Sequence, residues 1–143
     1  MDMKASEILI KKIEEFEGFS NTSYRCPAGV WTCGFGHTKG VDSMTRCTRG
    51  EVEQWLREDL APCEAYVNSV PEIDTQGKFD ACVDFCFNLG IGKFKGSTLL
   101  KKIKAGASAA EIQAEFRRWV LADGKKLAGL VKRREWEAGR WVS

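Results

Sequence analysis

The chain reads as an α+β protein, mostly α-helical, with one small β-rich stretch. Two observations predict that class. Apolar residues recur at helical spacing in a series of segments, most of them opened by a Ser or Thr and closed by a glycine. Strand-forming residues mixed with turn-forming glycines gather in a single place, residues 19–47.

The first helix is expected from Ser6, its N-cap, to Glu17, with Ile8, Leu9, Ile13 and Phe16 apolar and Gly18 ending it. Residues 19–47 follow as the β-rich segment, with Tyr24, Val30, Trp31 and Phe35 supplying strand positions. Thr48-Arg49-Gly50-Glu51 is a capping box that opens a long helix to about Val67, with Val52, Trp55, Leu56 and Leu60 on one face. Pro62 lies inside it and is expected to kink or break it. Pro71 marks a loop, and a helix then starts at Asp74 or Thr75 and closes at Gly90. Its density of apolar residues (Phe79, Cys82, Val83, Cys86, Phe87) predicts burial through the middle of a lobe.

Gly90 to Gly96 reads as a glycine-rich turn. Without a preceding strand or a following lysine-serine pair it is no phosphate loop. Ser97 caps a short helix holding Leu99, Leu100 and Ile103, ended by Gly106. Ser108 and Glu111 form another capping box, with Ile112, Phe116 and Trp119 on the buried side. Gly124 interrupts, and Leu130 to Trp141 is a last amphipathic, basic helix. The expected organisation is a single domain over residues 1–143, with a small β lobe at about 18–47. The helical lobe, about 68–143, also takes in the N-terminal helix.

The size of the chain, 143 residues, suffices for one core without staples. Its 43% hydrophobic and 29% charged residues are those of a globular protein rather than a disordered one. The net charge of +2 is small but uneven: from Arg117 to Arg140 eight basic residues stand against Asp123, Glu135 and Glu137. That segment is either a solvated helix face or a surface steering the protein to an anionic polymer. No aromatic-interleaved basic motif accompanies it, so nucleic acid is not the expected partner.

Six cysteines raise the question of a disulfide framework. Lys4, Glu7, Lys11 and Lys12 interrupt Met1 to Phe19, which therefore offers no apolar run for a signal peptide, and no membrane-spanning run occurs. Cys82 and Cys86 are four apart on an expected helix, too far apart for an easy bridge. With no C-x-x-C pair and one histidine, a structural zinc site is not expected. Cys33, Cys82 and Cys86 read as small buried hydrophobes in a chain made in a reducing cytosol.

The stretch that organises the rest is Glu17 to Thr38, EGFSNTSYRCPAGVWTCGFGHT. Glu17 falls at the negative end of the first helix, where a carboxylate is disfavoured and a proton is retained, the condition for a general acid. Glu17, eight residues, Cys26, five residues and Thr32, followed by GFGHT, resembles the motif of the phage lysozymes, the endolysins of glycoside hydrolase family 24. That family carries E-x(8)-D-x(5)-T, with Cys replacing Asp in some members. FNLG at 87–90, GSTLL at 96–100, Phe116-x-x-Trp119 and GLVKRREWE at 129–137 follow in the family's order.

The resemblance implies a lysozyme-like fold with the active-site cleft between the two lobes. It also implies hydrolysis of the β-1,4 bond between N-acetylmuramic acid and N-acetylglucosamine of peptidoglycan, without cofactor or metal. Glu17 would be the general acid, Cys26 would stand at the aspartate position, and Thr32 would help to position the water. Sugar contacts would fall on Thr38, Phe87 and Ser97. Arg133 or Arg134 would be the buried arginine paired with the acid, and His37 a structural histidine. The enzyme would be a monomer without stable membrane insertion, held in the host bacterial cytoplasm until a holin opens the way to the wall.

Cysteine departs from the usual aspartate. A thiol, with an ordinary pKa of about 8.5, is a poor general base near pH 7 but a strong nucleophile as thiolate. Inversion and retention therefore both stay open. So do a lytic transglycosylase, which needs one acid and no water, and a peptidase or amidase built on Cys26 and His37.

Overall fold

The computed structural model describes residues 2–18, 20–25, 31–34, 41 and 49–143. The chain forms α1 (Glu7–Glu17), β1 (Ser20–Arg25), β2 (Trp31–Gly34), α2 (Arg49–Asn68) and α3 (Gln76–Leu89). It continues with α4 (Ile91–Lys95), α5 (Thr98–Lys104), α6 (Ala109–Arg117), β3 (Leu121–Ala122), β4 (Lys125–Lys126) and α7 (Ala128–Trp141). The α+β class with helix dominant is as the sequence predicts.

The caps form where the small polar residues stand. Ser6, Thr75, Ser97 and Ser108 each accept a backbone N–H of the first helical turn, from Leu9, Lys78, Leu100 and Glu111 respectively. Gly18 closes α1 with φ 68°, a conformation that favours glycine.

Several expectations change. Pro62 does not break α2, which runs unbroken to Asn68. The proline lies on the exposed side of the helix. The glycine-rich segment after Gly90 contains a short helix, α4, whose Phe94 anchors it in the core. A second antiparallel ribbon, β3 with β4, turns at Asp123-Gly124 with both residues at positive φ, and α7 starts two residues before Leu130. In α1 the buried face is Leu9, Ile10 and Ile13, whereas Ile8 is exposed.

The core gathers around α3, which packs against α1, α2, α4 and α7, while α6 also packs on α7. Every residue from Phe79 to Cys86 is buried, so α3 runs through the interior as its composition predicts. Phe85 lies at the centre of an aromatic cluster with Phe94, Phe116 and Trp119. Gly77 gives α3 room at its start: a Cβ there would lie 2.5 Å from the Arg140 carbonyl oxygen and 2.7 Å from that of Ser143. β1 and β2 form an antiparallel pair with Tyr24 opposite Thr32 and Arg25 opposite Trp31. None of the described helices is long and apolar enough to cross a membrane.

Candidate active site

Two aspartates interrupt the apolar sequence of α3. Asp80 and Asp84 lie one turn apart on the same side of the helix, and both are fully buried. A buried carboxylate needs partners, and each aspartate meets an arginine of α7. Asp80 takes Arg140 Nη2 at 2.8 Å and Nε at 3.1 Å, together with Gln76 Nε2 and the N–H and hydroxyl of Ser6. It thereby ties the start of α1 to the end of α7.

Asp84 receives Arg133 along one edge of the guanidinium, Nε to Oδ2 at 3.0 Å and Nη2 to Oδ1 at 2.8 Å. The third donor of Arg133, Nη1, reaches Glu17 Oε1 at 2.8 Å. The Phe16 ring lies against the guanidinium, 5.0 Å from centroid to Cζ. Glu17 is thus the last residue of α1, one-quarter exposed, and held from behind by a cation that is itself 5% exposed. Of the two candidate arginines, Arg133 is the one that meets Glu17.

Arg134 points to the other side of α7. Its Nη2 donates to Asn88 Oδ1 at 2.8 Å and to Glu137 Oε2 at 3.0 Å, and its guanidinium sits over the Phe85 ring. Its Nε lies 2.8 Å from Glu137 Oε1, a contact of charge rather than a directed hydrogen bond. Two of the eight basic residues counted in this segment are therefore buried and committed, so the charge available to an outside polymer is smaller than the sequence implies.

The buried carboxylates divide their roles. Burial pushes Asp84 upward, but the charge of Arg133, hydrogen bonds from Glu137 and Arg133, and the charge of Arg134 outweigh it and hold the carboxyl below its ordinary value. Burial, followed by the charge and hydrogen bond of Asp84, pushes Glu137 well above its ordinary value, against the pull of Arg134 and Arg133. Of the two, Glu137 is therefore the carboxyl that keeps a proton to the higher pH. Arg133 stays charged despite burial, because Asp84 and Glu17 favour the cation.

These directions predict the pH dependence of stability. Native Glu137 keeps a proton that the unfolded chain releases above about pH 4.3, so between that pH and its raised native value a higher pH favours unfolding. Glu137→Gln removes this dependence. Its Tm relative to wild type is expected to rise steadily from pH 4 upwards, by about 3 °C for each kcal/mol. A difference in Tm that falls with pH would mean that native Glu137 is ionised.

The remaining sequence candidates fall in different places. Thr32 is buried on β2. Phe87, three residues beyond Asp84 on α3, is half-buried. Ser97 is buried, its hydroxyl donating to the Phe94 carbonyl at 2.6 Å and accepting from Leu100 N–H at 3.0 Å. Cys26, His37 and Thr38 lie outside the described residues, as does the side chain of Cys33. Cys82 and Cys86 are buried free thiols, and so is Cys63, which the sequence did not single out. Burial raises all three; with Glu64 and Asp59 nearby, Cys63 is pushed up to about 11, which makes it unreactive as a thiolate at neutral pH.

Asp80, Asp84 and Glu137 were missed as well. Their signal was two charged residues four apart inside an apolar helix, with an Arg-Arg pair and Arg140 in another.

The family model described as "Phage lysozyme" matches residues 14–137, a span that contains Glu17, Asp84, Arg133 and Arg134. The chain belongs to the phage lysozyme family. The endolysin of Acyrthosiphon pisum secondary endosymbiont phage 1 is 39% identical, over 99% of this chain and 99% of its own length. The endolysin of Bacillus phage B103 is 35% identical over 94% of this chain, which spans about half (52%) of that longer protein. Among solved structures, the muramidase domain of SpmX from Asticaccaulis excentricus superposes with a TM-score of 0.87 at 32% identity, covering 98% of each chain. As a phage lysozyme the chain is a peptidoglycan-degrading lytic enzyme. Among the described residues no group of three His, Cys, Asp or Glu side chains is placed to hold a metal ion.

Proposed function

We propose that this phage lysozyme is an endolysin with muramidase activity, hydrolysing the β-1,4 bond between N-acetylmuramic acid and N-acetylglucosamine. The observation that carries the reading is the setting of Glu17: a partly exposed carboxyl at a helix end, fixed through one oxygen by a buried arginine. Glu17 donates its proton to the leaving glycosidic oxygen. Thr32 positions the water, and Cys26, at the family's aspartate position, either holds that water or attacks the anomeric carbon. Thr38, Phe87 and Ser97 contact the sugars, Ser97 through the lone pair its two cap bonds leave over. The protein acts as a monomer and reaches the wall from the host cytoplasm after a holin opens the inner membrane. A neighbour named a muramidase domain supports the choice of bond.

Mass spectrometry of soluble fragments from purified peptidoglycan tests the reading. Reducing muramic-acid ends are expected, and the anomer first formed separates water attack from attack by Cys26. The loss of the aspartate makes a transglycosylase the second reading, and 1,6-anhydro ends would establish it. Freed peptides with intact glycan would overturn the glycosidase and bring Cys26 and His37 forward.

A further inference from the structure

Arg133 does more than hold Glu17, because most of its hydrogen-bonding edge is spent elsewhere. The guanidinium is planar and presents its donors in a fixed fork. Asp84 takes the Nε–Nη2 edge in bidentate fashion, and the Phe16 ring lies against the guanidinium. With that edge pinned, Nη1 points at Glu17 Oε1. Charge follows geometry. A buried arginine facing Glu17 alone would act as an unshielded cation and strip its proton, whereas one already neutralised by Asp84 acts as a hydrogen-bond donor with little net charge.

We propose that Asp84 is a positioning residue for the glycosidic cleavage: by occupying and neutralising one edge of Arg133, it aims Nη1 at Glu17 and presents the acid with a hydrogen-bond donor rather than an unshielded cation. This rests on the reading of Glu17 as general acid. Among the described residues, the titratable and charged groups around Arg133 are Glu17 from α1, Asp84 from α3 and, behind them, Glu137 and Arg134 from α7. Glu137 is the one that could compensate for a lost Asp84 by giving up its own proton.

The experiment compares the pH dependence of kcat and KM on purified peptidoglycan for wild type, Asp84→Asn, Asp84→Asn/Glu137→Gln, Glu137→Gln and Glu17→Gln, each with a thermal melt. Asp84→Asn keeps the shape and removes the charge. Its alkaline limb is expected to move to lower pH by about one unit, a tenfold loss of kcat at fixed pH on that limb, with KM unchanged. The double variant, in which Glu137 can no longer supply a charge, moves at least as far, and Glu137→Gln alone leaves the limb in place. An Asp84→Asn enzyme with a lower Tm and an unmoved limb would make Asp84 purely structural and overturn the proposal. Glu17→Gln with full turnover would overturn the reading of Glu17 itself, and the proposal with it. Should Asp84→Asn not fold, Arg133→Lys carries the test. A single ammonium cannot fork between two carboxylates, so the limb must move and kcat must fall; an unmoved limb with full kcat overturns the proposal.

Discussion

Glu17→Gln is expected to lower the rate of peptidoglycan cleavage by about 10²–10⁴-fold while leaving the protein folded. The two halves of that expectation have different causes. The amide cannot donate an acidic proton to a glycosidic oxygen, so the loss falls on kcat rather than on binding. The fold survives because Arg133 does not depend on Glu17: its Nε and Nη2 stay bound to Asp84, and the amide carbonyl of the substituted side chain can still accept from Nη1. The change in stability should stay within about 1 kcal/mol, as for a partly exposed ion pair. Turbidity clearance of cell walls combined with a thermal melt reads both. Full activity with an unchanged melt would remove Glu17 from the chemistry.

Arg133→Met is expected to be the most damaging single change in the same cluster. Asp84 has no exposed surface, and without Arg133 its charge is left unpaired in the interior, at a cost of about 3–5 kcal/mol. For a chain of this size that lowers Tm on the order of 10–15 °C. Activity falls too, because Nη1 no longer holds Glu17. Replacing the partner at the same time separates the two effects. Arg133→Met with Asp84→Leu removes both buried charges, so much of the lost Tm should return while activity does not. A double variant no more stable than Arg133→Met would show that the cost was lost packing of the arginine stem rather than an unpaired charge. Denaturant unfolding of the three variants beside wild type makes the comparison.

The class of fold, most helix boundaries and the family motif were legible in the residues alone. These are local matters. Caps such as Ser6, Thr75, Ser97 and Ser108 act on their own first turns, and apolar spacing selects helix or strand within a dozen residues. Sequence reasoning erred where a local rule ignored surroundings. Pro62 was expected to kink or break α2, and the helix is not broken there but runs on to Asn68. The Asp123-Gly124 ribbon went unseen because two residues per strand are too short to show alternation.

Which groups face Glu17 was settled by packing in three dimensions. From the sequence, Glu17 is an acid at the negative end of a helix, and that argument knows nothing of a cation 116 residues away. Arg133 and Arg134 are adjacent in sequence and chemically alike. They point to different sides of α7, one to Asp84 and Glu17, the other to Glu137 and Asn88. About 100° of helical rotation separates neighbouring side chains, so the placement of α7 against α3 made that choice. Burial then did what composition could not: it removed water from two carboxylates, with arginines holding one below its ordinary value while the other is pushed above it, and gave the acid at the end of α1 a partner already neutralised from behind.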